Sequence, residues 1–124
     1  MARILVVEDN PDVREMVARM LELDGHVCVE AEDGLAGLDE ALRSTAPFDL
    51  IVSDVDMPHL NGVDLLAAIR RTPRGRLRFI FISGAWSPDE VDTRPEHPEE
   101  FLAFLPKPFG RKTLCDLVDR ALAA

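Results

Sequence analysis

The sequence has no long apolar run, little cysteine and few basic residues, and each shortage excludes a class of protein. Its 124 residues carry 14 Lys and Arg against 23 Asp and Glu, for a formal net charge of −9. An acidic surface repels the phosphate backbone, so direct binding to nucleic acid is not expected. The apolar stretch at residues 4–7 is too short for a signal peptide or a membrane span. We therefore expect a cytoplasmic protein that binds a cation or a partner with a basic face.

Cysteine and histidine are too sparse and scattered to build a metal or redox centre. The two cysteines, Cys28 and Cys115, fit no metal-ligand or redox spacing. We expect both to be reduced, with Cys28 as a small core residue in a strand and Cys115 in a helix. No pair among the three histidines has the spacing of zinc ligands, so a zinc site is not expected.

Strand-like and helix-like segments alternate along the chain. Short runs of branched and aromatic residues predict strands at residues 3–7, 26–31, 48–53, 77–83 and 101–105. Segments with helical periodicity follow most of these strands, and the second helix is expected to bury Leu35, Leu38, Ala41 and Leu42. The alternation predicts one α/β domain over residues 1–124, a doubly wound parallel sheet of five strands in the flavodoxin-like order 2-1-3-4-5.

The segment between the fourth and fifth predicted strands breaks this rhythm. Ser87 is a good N-cap, and it is followed by a proline and two acids that suit the first turn of a helix. Pro95 and Pro98 then stop any helix that begins there. We expect an irregular or shortened fourth helix.

Acidic, hydroxyl and amine groups are concentrated beyond the carboxyl ends of four predicted strands. They are Glu8 and Asp9 after strand one, Asp54 and Asp56 at strand three, Ser83 at strand four and Lys107 after strand five. In a doubly wound sheet these strand ends border the ligand-binding crevice. Carboxylates at close range repel one another unless a cation lies among them, and Mg²⁺ prefers oxygen ligands of this kind.

These side chains together have what phosphoryl transfer requires. A carboxylate beside Mg²⁺ can attack phosphorus, and Asp54 is the candidate. Lys107 and Ser83 can neutralise or hydrogen-bond the phosphoryl oxygens. Taken singly, an aspartate at a strand end is more often a cap or turn residue, Ser83 would be a turn hydroxyl, and Lys107 would be a solvated surface lysine. Their occurrence together, at four strand ends, favours the catalytic interpretation.

Four motifs in a fixed order carry a resemblance to a known family. They are residues 4–10, residues 49–58 with Gly62, residues 81–84, and residues 104–109. The Asp-x-x-Met-Pro segment that begins at Asp54 and the Lys107-Pro108 pair are its most specific parts. Along nearly its whole length the chain resembles the response-regulator receiver domains of two-component signalling.

The resemblance implies a role for each residue of the site. Asp54 would accept a phosphoryl group from a histidine kinase or a histidine phosphotransfer protein. Glu8, Asp9, Asp54 and the backbone carbonyl of Asp56 would hold magnesium, and Ser83 and Lys107 would contact the phosphoryl group. The family also commonly has a cis peptide bond between the residues that correspond to Lys107 and Pro108.

The resemblance further implies a switch that changes how the protein binds a downstream protein partner. Ser83 would move toward the phosphoryl group, and Phe104, three residues before Lys107, would turn inward behind it. The alternative is that Phe104 is a fixed core residue of a buried strand, and a phenylalanine has no hydroxyl to present at the surface. Trp86 either borders the site or anchors the loop. We expect a monomer or a weak dimer.

Other functional classes fit the sequence less well. Asp54-Val55-Asp56 matches a fragment of haloacid dehalogenase-type enzymes, but Pro58 occupies the position of their hydroxyl residue and the chain is too short for a cap domain. A receiver-like protein that is not phosphorylated would not need the complete set of site residues. We therefore do not expect an enzyme. The start at Met1 favours a stand-alone regulator, while residues 81–84 and 104–109 look more like receivers of hybrid histidine kinases, so both remain open.

Overall fold

Five short strands form one parallel sheet at the centre of the molecule. In the computed structural model, which describes residues 1–72 and 76–124, the strands lie in the order β2-β1-β3-β4-β5, and every pairing is parallel. The strands are β1 Arg3–Val7, β2 Val27–Ala31, β3 Leu50–Asp54, β4 Arg78–Ser83 and β5 Phe101–Pro106. The predicted fold class and strand order are confirmed.

Four α-helices of the described chain pack on the two faces of this sheet. They are α1 Pro11–Leu23, α2 Gly34–Arg43, α3 Gly62–Arg70 and α4 Arg111–Ala123. The first three begin where a side chain accepts hydrogen bonds from the free N–H groups of the first turn, and the caps are Asn10, Asp33 and Asn61. No helix in the described part of the chain combines the length and apolar character needed to cross a bilayer.

The sheet separates two apolar clusters, because successive strand residues point to opposite faces. In β1, Ile4 and Val6 belong to the cluster beneath α1 and α4. Leu5 and Val7 belong to the cluster beneath α2 and α3. Cys115 is buried in the first cluster, whereas Cys28 is only half-buried against it, so the expected core cysteine of the strand is the less buried of the two.

The predicted inner face of α2 is partly wrong. Leu35 and Leu42 are 52% and 56% exposed, and the fully buried residues of this helix are Gly34 and Gly37. A Cβ at Gly37 would lie 2.9 Å from a methyl carbon of Val7. The helix therefore approaches β1 through Gly37, and Gly34 lies against Leu60 in the loop before α3. This packing turns two of the four predicted apolar residues toward solvent.

Residues 84–100, the β4–β5 segment, contain one turn of 3₁₀ helix at Pro88–Glu90 and no α-helix. The expectation of a shortened or irregular fourth helix is therefore confirmed. Val91 is buried and anchors the middle of the segment in the core. At its end, Glu100 accepts two hydrogen bonds from the guanidinium of Arg70 on α3, at 2.8 and 3.2 Å.

Candidate functional site

The carboxyl ends of β1 and β3 bring three acidic side chains together. Val7 of β1 is paired with Ser53 of β3, so the next residues along each strand, Glu8 and Asp54, are neighbours. One carboxylate oxygen from each of Glu8, Asp9 and Asp54 lies within 4.8 Å of the other two. Glu8 is fully buried and Asp54 is 6% exposed, while Asp9 faces solvent. Asp9 is therefore the carboxylate of this group that solvent and ions can contact directly.

Lys107, after β5, places its ammonium group over these carboxylates. Its Nζ donates to Oε1 of Glu8 at 2.6 Å and lies 3.6 Å from Oδ2 of Asp54. The backbone N–H of Lys107 donates to the carbonyl of Ser83 at 2.7 Å, which ties the start of the loop to the end of β4. The Lys107–Pro108 peptide bond is cis, as the resemblance implied.

Burial sets the protonation behaviour of the acidic group. It raises the pKa of Asp54, and contact with Glu8, the ammonium of Lys107 and the N–H of Val55 offset that rise only in part. The pKa of Asp9 is also raised, first by burial and then by its contact with Glu8. Three carboxylates share one ammonium, so the group favours a further positive charge.

The donor atoms of this group suit a hard divalent cation. All three are carboxylate oxygens, one of them at the surface, and Mg²⁺ binds through one or two carboxylates while it keeps several waters. Asp56 lies in the loop after β3 with an exposed side chain. Any contribution from Asp56 is expected from its backbone carbonyl, and that assignment stays a prediction.

Ser83, the last residue of β4, is 1% exposed and is held by the loop that follows it. Its Oγ accepts hydrogen bonds from the backbone N–H groups of Ala85, at 3.2 Å, and Trp86, at 2.9 Å. A serine hydroxyl has two acceptor sites and one hydrogen. Both acceptor sites are therefore occupied. Among the residues that the structure describes, the hydroxyl donates no hydrogen bond, so it can donate to an incoming oxygen.

The two aromatic residues considered for the switch lie on the same side of the sheet. Phe104 and Trp86 are half-buried, and both pack against the cluster beneath α2 and α3. The packing of Trp86 supports its role as a loop anchor, and its backbone contact with Ser83 also places it next to the site. Rotation of Phe104 stays a prediction.

Two residues contact Glu8 that the sequence did not identify as parts of the site. The backbone N–H of Asn10 donates to Oε2 of Glu8 at 3.2 Å, and Nη1 of Arg14 donates to the backbone carbonyl of Glu8 at 2.9 Å. Arg14 lies one turn after the cap of α1, and helical side chains lean toward the N-terminus of their helix. That direction is the only sequence signal that leads from Arg14 to the site.

Comparison with known proteins agrees with this geometry. A family model described as the response regulator receiver domain matches residues 4–119. The sensor kinase CckA of Brucella abortus is 35% identical over 121 residues, which are 98% of this chain and 12% of the kinase. An uncharacterised 14.6 kDa protein of Leptolyngbya boryana is 32% identical over 117 residues, which cover 94% of this chain and 87% of that protein.

A solved structure extends the similarity to three dimensions. The receiver domain of the sensor histidine kinase PA1611 from Pseudomonas aeruginosa matches with a TM-score of 0.83 and 28% identity, over 99% of this chain and 98% of that one. That structure has a magnesium ion coordinated in its active site cleft. Several curated relatives are much longer, and the chain spans 12%, 31% and 24% of three of them.

Proposed function

The chain belongs to the family of response regulator receiver domains, the phosphoryl-accepting modules of two-component systems, and we propose that Asp54 is the residue that accepts the phosphoryl group. The observation that carries this proposal is the convergence of Glu8, Asp9, Asp54 and Lys107 at one edge of the sheet. Asp54 is 6% exposed and lies 3.6 Å from the ammonium of Lys107, whereas the fully buried Glu8 is already hydrogen-bonded to that ammonium at 2.6 Å.

The proposed reaction transfers a phosphoryl group from a phosphohistidine to Asp54. A carboxylate oxygen of Asp54 forms the new bond to phosphorus as the bond from phosphorus to the donor imidazole nitrogen breaks. The donor ring, protonated on its other nitrogen, keeps the electron pair of the broken bond and leaves as neutral imidazole. Glu8, Asp9 and Asp54, with the carbonyl of Asp56, would hold Mg²⁺, which supplies positive charge to the phosphoryl oxygens.

Lys107 and Ser83 would stabilise the charge that develops on the transferred group. The ammonium of Lys107 lies near Asp54 already, so it needs only to exchange its contact with Glu8 for one with a phosphoryl oxygen. Ser83 has its hydrogen free for donation. Movement of Ser83 toward the phosphoryl group would carry the backbone of Ala85 and Trp86 with it, and Phe104 is the proposed aromatic partner of this switch.

The donor is proposed to be a histidine kinase or a histidine phosphotransfer protein, and the phosphorylated chain would act through a downstream protein partner. Relatives support two contexts for this role. The match within a sensor kinase is consistent with a receiver of a hybrid histidine kinase. The match to most of a 14.6 kDa protein is consistent with a stand-alone regulator, which we favour. Phosphotransfer from a panel of histidine kinases would identify the donor.

Intact-mass measurement after incubation with acetyl phosphate tests the proposal. We expect the wild-type protein with Mg²⁺ to gain one phosphoryl group, and chelation of the metal to prevent the gain. Asp54→Asn should gain none. Asp64→Asn, the same change at an exposed residue of α3, is the matched control and should behave like the wild type. A phosphoryl group retained in Asp54→Asn, or multiple-turnover hydrolysis of a phosphate ester by the wild type, would contradict the proposal.

A further inference from the structure

Arg14 is the one side chain of α1 that the structure ties to the backbone of the acidic group. Its Nη1 donates to the carbonyl oxygen of Glu8 at 2.9 Å, and its Nε donates to Oε1 of Glu30 on β2 at 3.3 Å. The side chain of Arg14 is 18% exposed, whereas that of Glu30 is 42% exposed. The guanidinium therefore links β2, an edge strand of the sheet, to the turn that carries Glu8 and Asp9.

The contact from Arg14 completes the hydrogen bonding of Glu8. The backbone N–H of Glu8 donates to the carbonyl of Ala31 at 3.1 Å. Its carboxylate accepts from Lys107 and from the N–H of Asn10. With the bond from Arg14 to its carbonyl, every polar group of Glu8 has a partner. The peptide between Glu8 and Asp9 is fixed by that last bond, because its carbonyl belongs to Glu8 and its N–H to Asp9.

We infer that Arg14 is a positioning residue for divalent-cation binding, acting through the Glu8–Asp9 peptide; this inference rests on the proposed function of the site. Glu8 is buried and held on several sides, but Asp9 is exposed, and it depends on the orientation of this peptide to face Asp54. Groups that orient metal ligands without touching the metal commonly contribute strongly to affinity. Arg14 would do so through the main chain.

Replacing Arg14 should change the Mg²⁺ dissociation constant in opposite directions, depending on whether Arg14 positions the peptide or acts only through its charge. A guanidinium close to a cation site repels the cation, so removing its charge alone would strengthen Mg²⁺ binding. If Arg14 instead orients the peptide, removing it weakens Mg²⁺ binding although the local charge becomes more favourable. The two roles thus predict opposite changes in the same dissociation constant.

Calorimetric titration of the full chain with MgCl₂ is the test. We expect Arg14→Met and Arg14→Gln to raise the dissociation constant by about tenfold. Arg14→Lys keeps the charge but lacks the planar guanidinium that bonds both partners, and we expect its dissociation constant to lie between those of the wild type and Arg14→Met. The thermal midpoint of each variant in chelator, without Mg²⁺, monitors the fold. The amide resonances of Asp9 and Asn10 should shift in these variants before any metal is added, which reports the orientation of the peptide directly.

Two control variants isolate the bond to Glu8. Arg19→Met removes the same charge from an exposed position of α1, and Glu30→Gln removes the charge of the other partner of the guanidinium. Both should stay within about twofold of the wild type, as expected for exposed charges. Unchanged or tighter binding in Arg14→Met and Arg14→Gln would overturn the inference. A wild-type protein that binds no Mg²⁺ would instead contradict the proposed function.

Discussion

At the scale of single residues, the site depends on a glycine that carries no chemistry. The N–H of Gly62 donates to the carbonyl of Val55 at 2.8 Å, which closes the loop between β3 and α3. A Cβ at this position would overlap the carbonyl oxygen of Asp54. Only glycine lets the first turn of α3 approach Asp54 this closely.

We therefore predict that Gly62→Ala destabilises the protein, by about 1–3 kcal/mol, because the backbone of β3 or of α3 must shift. Urea denaturation measures the loss, and the rate of phosphorylation of Asp54 should fall with it. Gly110→Ala is the matched control, because a Cβ at Gly110 meets nothing within 4 Å. Equal stability of the two variants would show that the close approach is not needed.

Single residues also show where sequence reasoning succeeds. Glu8, Asp9, Asp54 and Lys107 were predictable because each lies at or just after the end of a strand that is recognisable by itself, and parallel strands end at the same edge. The contact of Arg14 with Glu8 was not predictable from periodicity. It depends on how α1 rotates as it packs on the sheet, and the rotation is set by residues distant in sequence.

At the scale of elements, the β4–β5 segment contains no α-helix. Contacts of single side chains hold it in place instead, and one of them joins Glu100 to Arg70. Contact with Arg70 lowers the pKa of Glu100 below its ordinary value of 4.5. The side chain of Glu100 is 5% exposed and that of Arg70 is 18% exposed, so solvent screens this pair little. The pair joins the C-terminal end of α3 to the start of β5.

The lowered pKa predicts how stability depends on pH. The pair contributes to stability above the ordinary pKa of Glu100, 4.5, and the contribution is lost as the pH falls through the lower folded-state pKa. At neutral pH we expect Glu100→Gln to unfold with about 1 kcal/mol less free energy than the wild type. The difference should shrink on acidification, as measured by urea denaturation across the pH range.

A second carboxylate of the same segment provides the control. Contact with Arg94 lowers the pKa of Asp92 to about 2, but both side chains are exposed. Asp92→Asn should therefore change stability little at any pH. A difference between Glu100→Gln and the wild type that persists at low pH would mean that packing, not charge, accounts for the effect.

The elements themselves were largely predictable, with errors that have physical causes. All five strands were expected, because buried parallel strands are continuous apolar runs. The third begins at Leu50 instead of Phe48. The ring centroid of Phe48 lies 4.5 Å from the guanidinium carbon of Arg3, so this side chain packs against Arg3 outside the strand. The face of α2 was assigned by hydrophobicity, but the absence of a side chain at its glycines allows the closest packing.

At the scale of the whole molecule, the acidic group adds to the net negative charge of the fold. A chain with a formal charge of −9 concentrates three carboxylates at one edge of its sheet, two of them buried. Burial of like charges costs free energy, and a bound cation offsets that cost. Stability and metal binding are thereby linked.

We predict that Mg²⁺ raises the thermal midpoint of the wild-type protein and that a chelator lowers it. At a Mg²⁺ concentration about a hundredfold above the dissociation constant, linkage gives about 2.7 kcal/mol of stabilisation. Differential scanning calorimetry with MgCl₂ and with chelator measures the shift. The same concentration of NaCl should give a smaller change, because a monovalent ion does not replace Mg²⁺ among the carboxylates.

Asp54→Asn should lose most of this response and should be more stable than the wild type in chelator, because a neutral amide replaces a buried carboxylate. Asp64→Asn should keep the full response. A Mg²⁺ shift of equal size in Asp54→Asn would place the binding site elsewhere.

The irregular backbone of the β4–β5 segment affects how its sequence can change between related proteins. In an α-helix, inserting or deleting a residue rotates every later side chain around the helix axis. Residues 91–100 form no helix. The segment is held by the buried side chain of Val91 and by the hydrogen bonds between Glu100 and Arg70. Residues between these two anchors can be inserted, deleted or replaced without moving Ser83 or Lys107. The sequence and length of this segment can thus change while the geometry of the acidic group stays the same.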